Sequence, residues 1–75
     1  MKEIKQTINI YASVGEIVFY VRDKSIYMCC VEDIQLKADV WYIIRNVTGE
    51  SDSLNENNFK KYCFKTEDEA KLSIR

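Results

Sequence analysis

Residues 26–44 read "IYMCCVEDIQLKADVWYII" and decide the fold. β-branched, aromatic and other apolar residues fill both halves of the stretch, a composition typical of β-strands. We therefore expect one strand at residues 26–37 and another at 39–47. Glu32 and Asp33 interrupt the first strand, which predicts a bend or a β-bulge there.

The flanking segments add further strands to this pair. Residues 16–22, "EIVFYVR", predict a strand after a turn at Gly15, and Asp23 favours a second turn within "RDKS". Residues 48–57, "TGESDSLNEN", predict a polar loop, and residues 58–64, "NFKKYCF", predict the last strand. Residues 1–12 alternate weakly through isoleucines, and we expect an N-terminal strand or arm there.

The pattern changes to a helical one after Phe64. Thr66 is followed three residues later by Glu69, the spacing of a capping box in which each residue satisfies a backbone N–H of the helix start. Ala70 and Ile74 then share one face. These residues predict a short helix at 66–74, which must dock on the sheet because two turns are not stable alone.

The whole chain predicts one small, mainly β domain. It has 75 residues, a net charge of −1 and no apolar run of the roughly 20 residues that cross a bilayer. No signal-peptide pattern is present, so we expect a cytoplasmic protein without membrane contact. Four or five strands on short turns, followed by one short helix, favour a small antiparallel barrel or a strongly curved sheet at residues 14–64, with the helix at 66–74 docked on it.

The order of four segments resembles a group of small bacterial and phage proteins. The segments are "VGEIVFYV", "IYMCCVEDI", "VWYII" and "YCFKTEDEA", and the most specific positions are Phe64, Thr66, Glu69 and Ala70. The likeness covers roughly residues 14–72, and the members of the group mostly lack an assigned activity. It implies an SH3-like barrel with a short C-terminal helix and a phage or bacterial origin, and it implies no mechanism.

The residue types argue against catalysis and against a bound cofactor. Histidine is absent, which excludes the usual Ser/His and Cys/His nucleophile pairs. Cys29, Cys30 and Cys63 are three thiols without metal-ligand spacing, and neighbours on a strand point to opposite faces. We expect small apolar packing residues and no metal, with a sensor role or a metal site shared with a second chain as the alternative.

The predicted strands carry apolar residues on both faces, whereas a single barrel buries one face of each strand. On the strand 39–47, Val40, Tyr42 and Ile44 lie on one face, and Trp41, Ile43 and Arg45 lie on the other. The second face is covered by the N-terminal arm and the C-terminal helix, by a second copy, or by another protein. Aromatic residues and Arg are enriched at interface hot spots.

We therefore predict a non-enzymatic protein-binding module, expected to be a homodimer, with a phage accessory or anti-defence role in the host cytoplasm as one possibility. The predicted contact residues are Trp41, Ile43, Arg45 and Tyr20. The alternative is a nucleic-acid-binding SH3-like module. In it Trp41 and Tyr42 would stack on bases, with basic residues near phosphates: Arg22, Lys24, Lys60 and Lys61. Nucleic acid is disfavoured because acidic and basic residues are mixed along the chain.

Overall fold

The computed structural model describes residues 11–74, so the predicted arm at residues 1–12 lies almost entirely outside the described part of the chain. The described elements are five strands and two helices. In chain order they are β1 (Ile17–Arg22), β2 (Ser25–Leu36), β3 (Val40–Asn46), β4 (Ser51–Asn55), α1 (Glu56–Tyr62), β5 (Cys63–Phe64) and α2 (Glu67–Ile74). All strand pairs are antiparallel, and the sheet order is β4-β3-β2-β1-β5.

The first three strands confirm the sequence-based prediction to within about one residue at each end. The β1–β2 turn has two central residues, and both have left-handed backbone angles: φ is 52° at Asp23 and 64° at Lys24. The pairing of β2 with β3 shifts between Val31 and Asp33, which leaves Glu32 as the extra residue. The predicted bulge is therefore present.

The predicted loop at residues 48–57 and strand at 58–64 are wrong. The loop contains β4, an edge strand whose only buried side chain is Leu54. The predicted strand is mostly the helix α1, and only Cys63 and Phe64 pair with β1. The Asn55 side chain caps α1 by accepting from the Asn58 N–H at 2.9 Å. The chain thus has two short helices in its described part, where the sequence predicted one.

The mainly β, antiparallel fold is confirmed, while closure into an SH3-like barrel stays a prediction. Within residues 11–74, β4 and β5 are the two edges of the sheet and do not pair with each other. The helix α1 packs against both of these strands as well as β1 and β3. It places Phe59 on the Tyr42 ring, with ring centroids 4.0 Å apart and nearly parallel.

The core lies between one face of the sheet and α1, and we call this side of the sheet the inner face. The nearly fully buried residues of this core are Ala12, Val18, Cys29, Val31, Tyr42, Ile44, Leu54 and Phe59. The Tyr42 hydroxyl accepts from the Tyr11 N–H at 3.1 Å, which ties the start of the described chain to the middle of the sheet.

The helix α2 covers part of the opposite side, which we call the outer face. It packs against β1, β2 and β5, and its Ala70 is fully buried but is not part of the inner-face core. As predicted, Thr66 caps this helix: its hydroxyl accepts from the Glu69 N–H at 3.2 Å. Leu72 is exposed, so the helix presents one small buried residue to the sheet rather than a wide apolar stripe.

Candidate protein-contact surface and concave sites

The register of the sheet assigns every strand residue to one of the two faces, because directly paired residues point the same way. Ile17 of β1 pairs with Cys30 of β2, and Cys30 pairs with Arg45 of β3, so these three residues lie on the same face, the outer one. Every second residue from them along β1 and β3, and along β2 up to the bulge, lies on this face too, Met28 among them. The apolar residues on this face are Ile17, Phe19, Val21, Ile26, Met28, Cys30, Trp41, Ile43 and Phe64. Both faces of the sheet are therefore rich in apolar side chains, as the sequence predicts.

Three of the four predicted contact residues lie on the outer face, and Tyr20 does not. Trp41 and Ile43 are half-buried and Arg45 is exposed. Tyr20 lies on the inner face beside Val18 and packs against the core there. The sequence defines the two faces within each strand correctly, but it does not show which face of β1 matches which face of β3. Tyr20 cannot join the other three in one flat contact surface.

The most exposed apolar side chains of this region form a group that the sequence analysis did not single out. Ile17 is 45% exposed, Met28 49% and Val47 81%. Together with Cys30 they line a shallow groove of ≈ 200 Å³, and we call these four residues the outer strip. Part of the signal is present in the sequence, because Met28 and Cys30 share one face of the predicted strand 26–37, whereas Ile17 lies on another strand and joins them only through the register.

An ion pair lies on the outer face next to the outer strip. The Arg45 guanidinium contacts the Glu32 carboxylate at 2.6 and 2.8 Å and also donates to the Gly49 carbonyl at 3.1 Å. Both side chains are about half exposed. The bulge makes this contact possible, since Glu32 is the extra residue on β2 and lies opposite Ile43 and Ile44, just before Arg45 in β3. The strip therefore carries one positive and one negative group beside it.

A second groove lies on the inner side, where the segment before β1 meets α1 and β5. We call it the α1 groove; it has a volume of ≈ 280 Å³ and is lined by Tyr11, Val18, Phe59, Lys60, Cys63, Phe64 and Lys65. The Lys65 ammonium binds the Glu16 carboxylate and the Tyr11 carbonyl. The Lys60 ammonium lies 4.7 Å from the centre of the Tyr11 ring.

A third, smaller concavity has a volume of ≈ 60 Å³. It lies near the end of β1 and the starts of β2 and β4, and its lining includes Tyr20, Tyr27, Cys29 and Asp52. Burial raises the pKa of Cys29 to about 11, and the nearby Asp52 carboxylate adds to this effect. The pKa of Tyr20 is raised by the same two causes in the same order. These groups stay protonated at neutral pH, so they are poor nucleophiles.

The cysteines behave as packing residues in the described chain. All three are free thiols, and burial raises the pKa of Cys63 to about 12. Cys29 is buried on the inner face, while its neighbour Cys30 lies on the outer face, as strand alternation requires. Within residues 11–74 no three metal-ligating side chains come together. Neither described helix has the length and apolar character that crossing a membrane requires.

The nucleic-acid alternative loses one of its two stacking residues. Tyr42 is fully buried and already stacked on Phe59, so its ring cannot receive a base. Two of the proposed phosphate contacts also face aromatic rings of this chain, since Lys61 lies 5.4 Å from the centre of the Tyr62 ring and Lys60 lies over Tyr11.

Comparison with protein-family models, curated proteins and solved structures finds no match to this chain. The resemblance to small SH3-like phage and bacterial proteins therefore stays a prediction, and a function must be argued from the geometry.

Proposed function

We propose that this protein is a non-enzymatic protein-binding module that associates with a second copy of itself through the outer strip. The single observation that supports this most strongly is the exposure of Ile17, Met28 and Val47 side by side on the part of the outer face that α2 leaves uncovered. Neighbouring exposed apolar side chains are the usual mark of an interaction site, whereas isolated ones are ordinary.

The energetic argument is the cost of leaving these side chains in water. Full burial of one large apolar side chain contributes about 1.5–3 kcal/mol. Ile17 and Met28 are each close to half exposed, so a partner would recover roughly half of that value for each. A small domain with a marginal stability of about 5–15 kcal/mol gains substantially from covering such a surface.

The charges beside the strip favour a second copy as the occupant. A two-fold axis brings the same surface of both subunits together, so every group must face a complementary one. Arg45 and Glu32 have opposite charges and lie together on the outer face. In a two-fold dimer, the Arg45–Glu32 pair of each subunit can exchange partners across the axis, so that no charge is left unpaired while the apolar strips pack against each other.

The experiment compares two aspartate substitutions on β2. Met28→Asp places a charge in the strip, and Leu36→Asp is the matched control because Leu36 is an exposed leucine (57%) at the far end of the same strand. The measurement is the mass in solution by sedimentation equilibrium. We expect a wild-type dimer, a monomeric Met28→Asp variant with an unchanged circular dichroism spectrum, and a dimeric Leu36→Asp variant.

Two results would contradict the proposal. The first is a wild-type chain that stays monomeric at concentrations near 1 mM, because a dissociation constant above that value corresponds to a binding free energy weaker than about −4 kcal/mol and excludes a specific dimer. The second is a Met28→Asp variant that stays dimeric, which places the interface elsewhere. The setting we propose, a phage accessory or anti-defence protein acting on a host complex, is supported by the resemblance. Its test is whether Met28→Asp, unlike Leu36→Asp, abolishes binding to a purified host complex.

A further inference from the structure

The α1 groove combines an apolar interior with a cationic rim. Its floor contains Val18 and Phe59, which are 1% and 3% exposed, and its lining also includes Tyr11 and Phe64. Cys63 also lines it, and burial raises the pKa of this thiol to about 12, which indicates poor hydration at that wall. Among residues 11–74, the only cationic groups that line the groove are Lys60 and Lys65.

The two lysines differ in what already neutralises them. Lys65 binds the Glu16 carboxylate, so its charge is compensated within the chain. Lys60 has no carboxylate within salt-bridge distance in the described residues, and its ammonium faces the Tyr11 ring instead. An aromatic face attracts a cation without cancelling its charge. Lys60 is therefore a positive group, held in position by Tyr11, at the mouth of an apolar groove.

From this pairing we infer that the α1 groove binds a small organic acid, with its apolar body in the groove and its carboxylate on Lys60. The inference is independent of the proposed self-association, because the outer strip lies on the other face of the sheet. A volume of ≈ 280 Å³ falls just below the range of about 300–1,000 Å³ typical of small-molecule pockets, so a phenyl-sized body is the expected fit.

A free acid suits the site better than a bound peptide strand. Peptides that bind along a sheet need a row of edge N–H and C=O groups. The strand at this groove, β5, has two residues, too few for such a row. One charge-assisted contact with Lys60, together with burial of an apolar ring, is the recognition that the groove offers.

The test uses two probes that share a body and differ in the charge of the head group: phenylbutyrate and phenylbutylamine. Amide chemical shifts of the full chain are followed during titration. We expect phenylbutyrate to shift residues of the groove, above all Tyr11, Lys60 and Cys63. We expect the amine to bind more weakly, because the uncompensated Lys60 ammonium repels its charge.

Two lysine substitutions on α1 locate the contact. Lys60→Gln should weaken phenylbutyrate binding by about fivefold, the loss of one partly exposed charge-assisted contact. Lys61→Gln is the matched control, because it removes the same charge one residue along the helix, where the side chain faces Tyr62. It should leave the affinity nearly unchanged.

Three results would overturn the inference. The first is equal binding of acid and amine, which shows that apolar contact alone is responsible. The second is equal loss in both variants, which shows a general effect of net charge. The third is a set of shifts centred on Met28 and Ile17, which places the ligand on the outer strip instead.

Discussion

Arg22 on β1 and Asp52 on β4 approach within 3.8 Å between Nη1 and Oδ2, although β2 and β3 lie between their strands. In a flat sheet, three strand spacings would separate them by about 14 Å. Strand side chains stand roughly perpendicular to the sheet rather than along it, so they would not close that gap in a flat sheet. The sheet therefore curls toward its inner face. This curvature makes the inner face concave and the outer face convex, so the outer strip lies on the convex side of the sheet.

The curvature also brings the Asp52 carboxylate close enough to affect groups on β1 and β2. Replacing Asp52 by Asn should lower the pKa of Cys29 from about 11 but leave it above the ordinary value of 9.0, because burial is the larger cause. The measurement is the pH dependence of alkylation at Cys29, resolved by peptide mass spectrometry. Asp23→Asn is the control, since Asp23 also contacts Arg22 but lies in the turn. An unchanged Cys29 profile in Asp52→Asn would mean that the sheet is flatter than described.

The stacked pair of Tyr42 and Phe59 holds α1 on the sheet. Phe59→Ala should lower the free energy of unfolding by about 3–5 kcal/mol, a large part of the stability of so small a domain. Phe59→Leu should cost clearly less, because it leaves a smaller cavity. Tyr62→Ala on the same helix should change little, as Tyr62 is 38% exposed. Urea unfolding followed by circular dichroism measures all three, and similar losses in Phe59→Ala and Tyr62→Ala would contradict this role for the pair.

The β1–β2 turn contains a correctable strain at Lys24. Its φ of 64° lies in the left-handed region, which costs a residue with a Cβ roughly 1–2 kcal/mol and which glycine adopts freely. Asp-Gly is also a preferred pair for a two-residue hairpin turn. Glycine also adds conformational entropy to the unfolded chain, which offsets part of this gain. Lys24→Gly should therefore raise the free energy of unfolding by a net amount of about 0.5–1 kcal/mol.

The control for this substitution is Lys37→Gly in the turn between β2 and β3. Lys37 is not among the residues with positive φ, so glycine there brings only the entropic cost. The midpoint temperature of thermal unfolding should rise for Lys24→Gly, and it should fall or stay unchanged for Lys37→Gly. Equal shifts in the two variants would show that backbone strain at Lys24 is not the cause.

The pair of Glu16 and Lys65 should make stability fall in acid. The hydrogen bond from Lys65, together with one from the Ser13 N–H, holds the pKa of Glu16 below its ordinary value of 4.5. A carboxyl group with a lowered folded-state pKa stabilises the fold above its unfolded pKa and loses this effect as pH falls through the folded value. Glu16→Gln should therefore lower stability at pH 7 and flatten its decline below about pH 5.

The measurement is the thermal midpoint as a function of pH, with Glu67→Gln as the control. Glu67 contacts Lys71 at 3.9 Å on the surface of α2, a geometry that contributes little. A Glu16→Gln variant with the same pH profile as wild type would exclude this pair as a source of acid sensitivity.

The strands β1 to β3, the bulge at Glu32 and the Thr66 cap follow from the sequence because each depends on residues close together in the chain. The strand β4 and the helix α1 do not. Only Leu54 in β4 and Phe59 in α1 are buried, so neither element shows the repeated apolar pattern that would identify it. The local signals for α1 are the Asn55 cap and the charges that suit a helix dipole, Glu56 in the first turn and Lys60 and Lys61 in the last.

The candidate contact surface depends on information that no single strand contains. Alternation within β1 and β3 separates their two faces correctly, yet Tyr20 lies on the inner face while Trp41 lies on the outer one. The bulge also changes the alternation within β2, since Val31 and Ile34 are three residues apart and both face the core side. Matching faces between strands requires the register.

The sequence by itself determined the three strands β1 to β3 and that both of their sides are apolar, because side-chain alternation is a property of each extended segment. Only the tertiary structure decided which side is buried, where α1 and α2 lie and which apolar residues stay in water. The physical reason is that a shift of one residue in pairing exchanges the two faces of a strand without changing its local pattern.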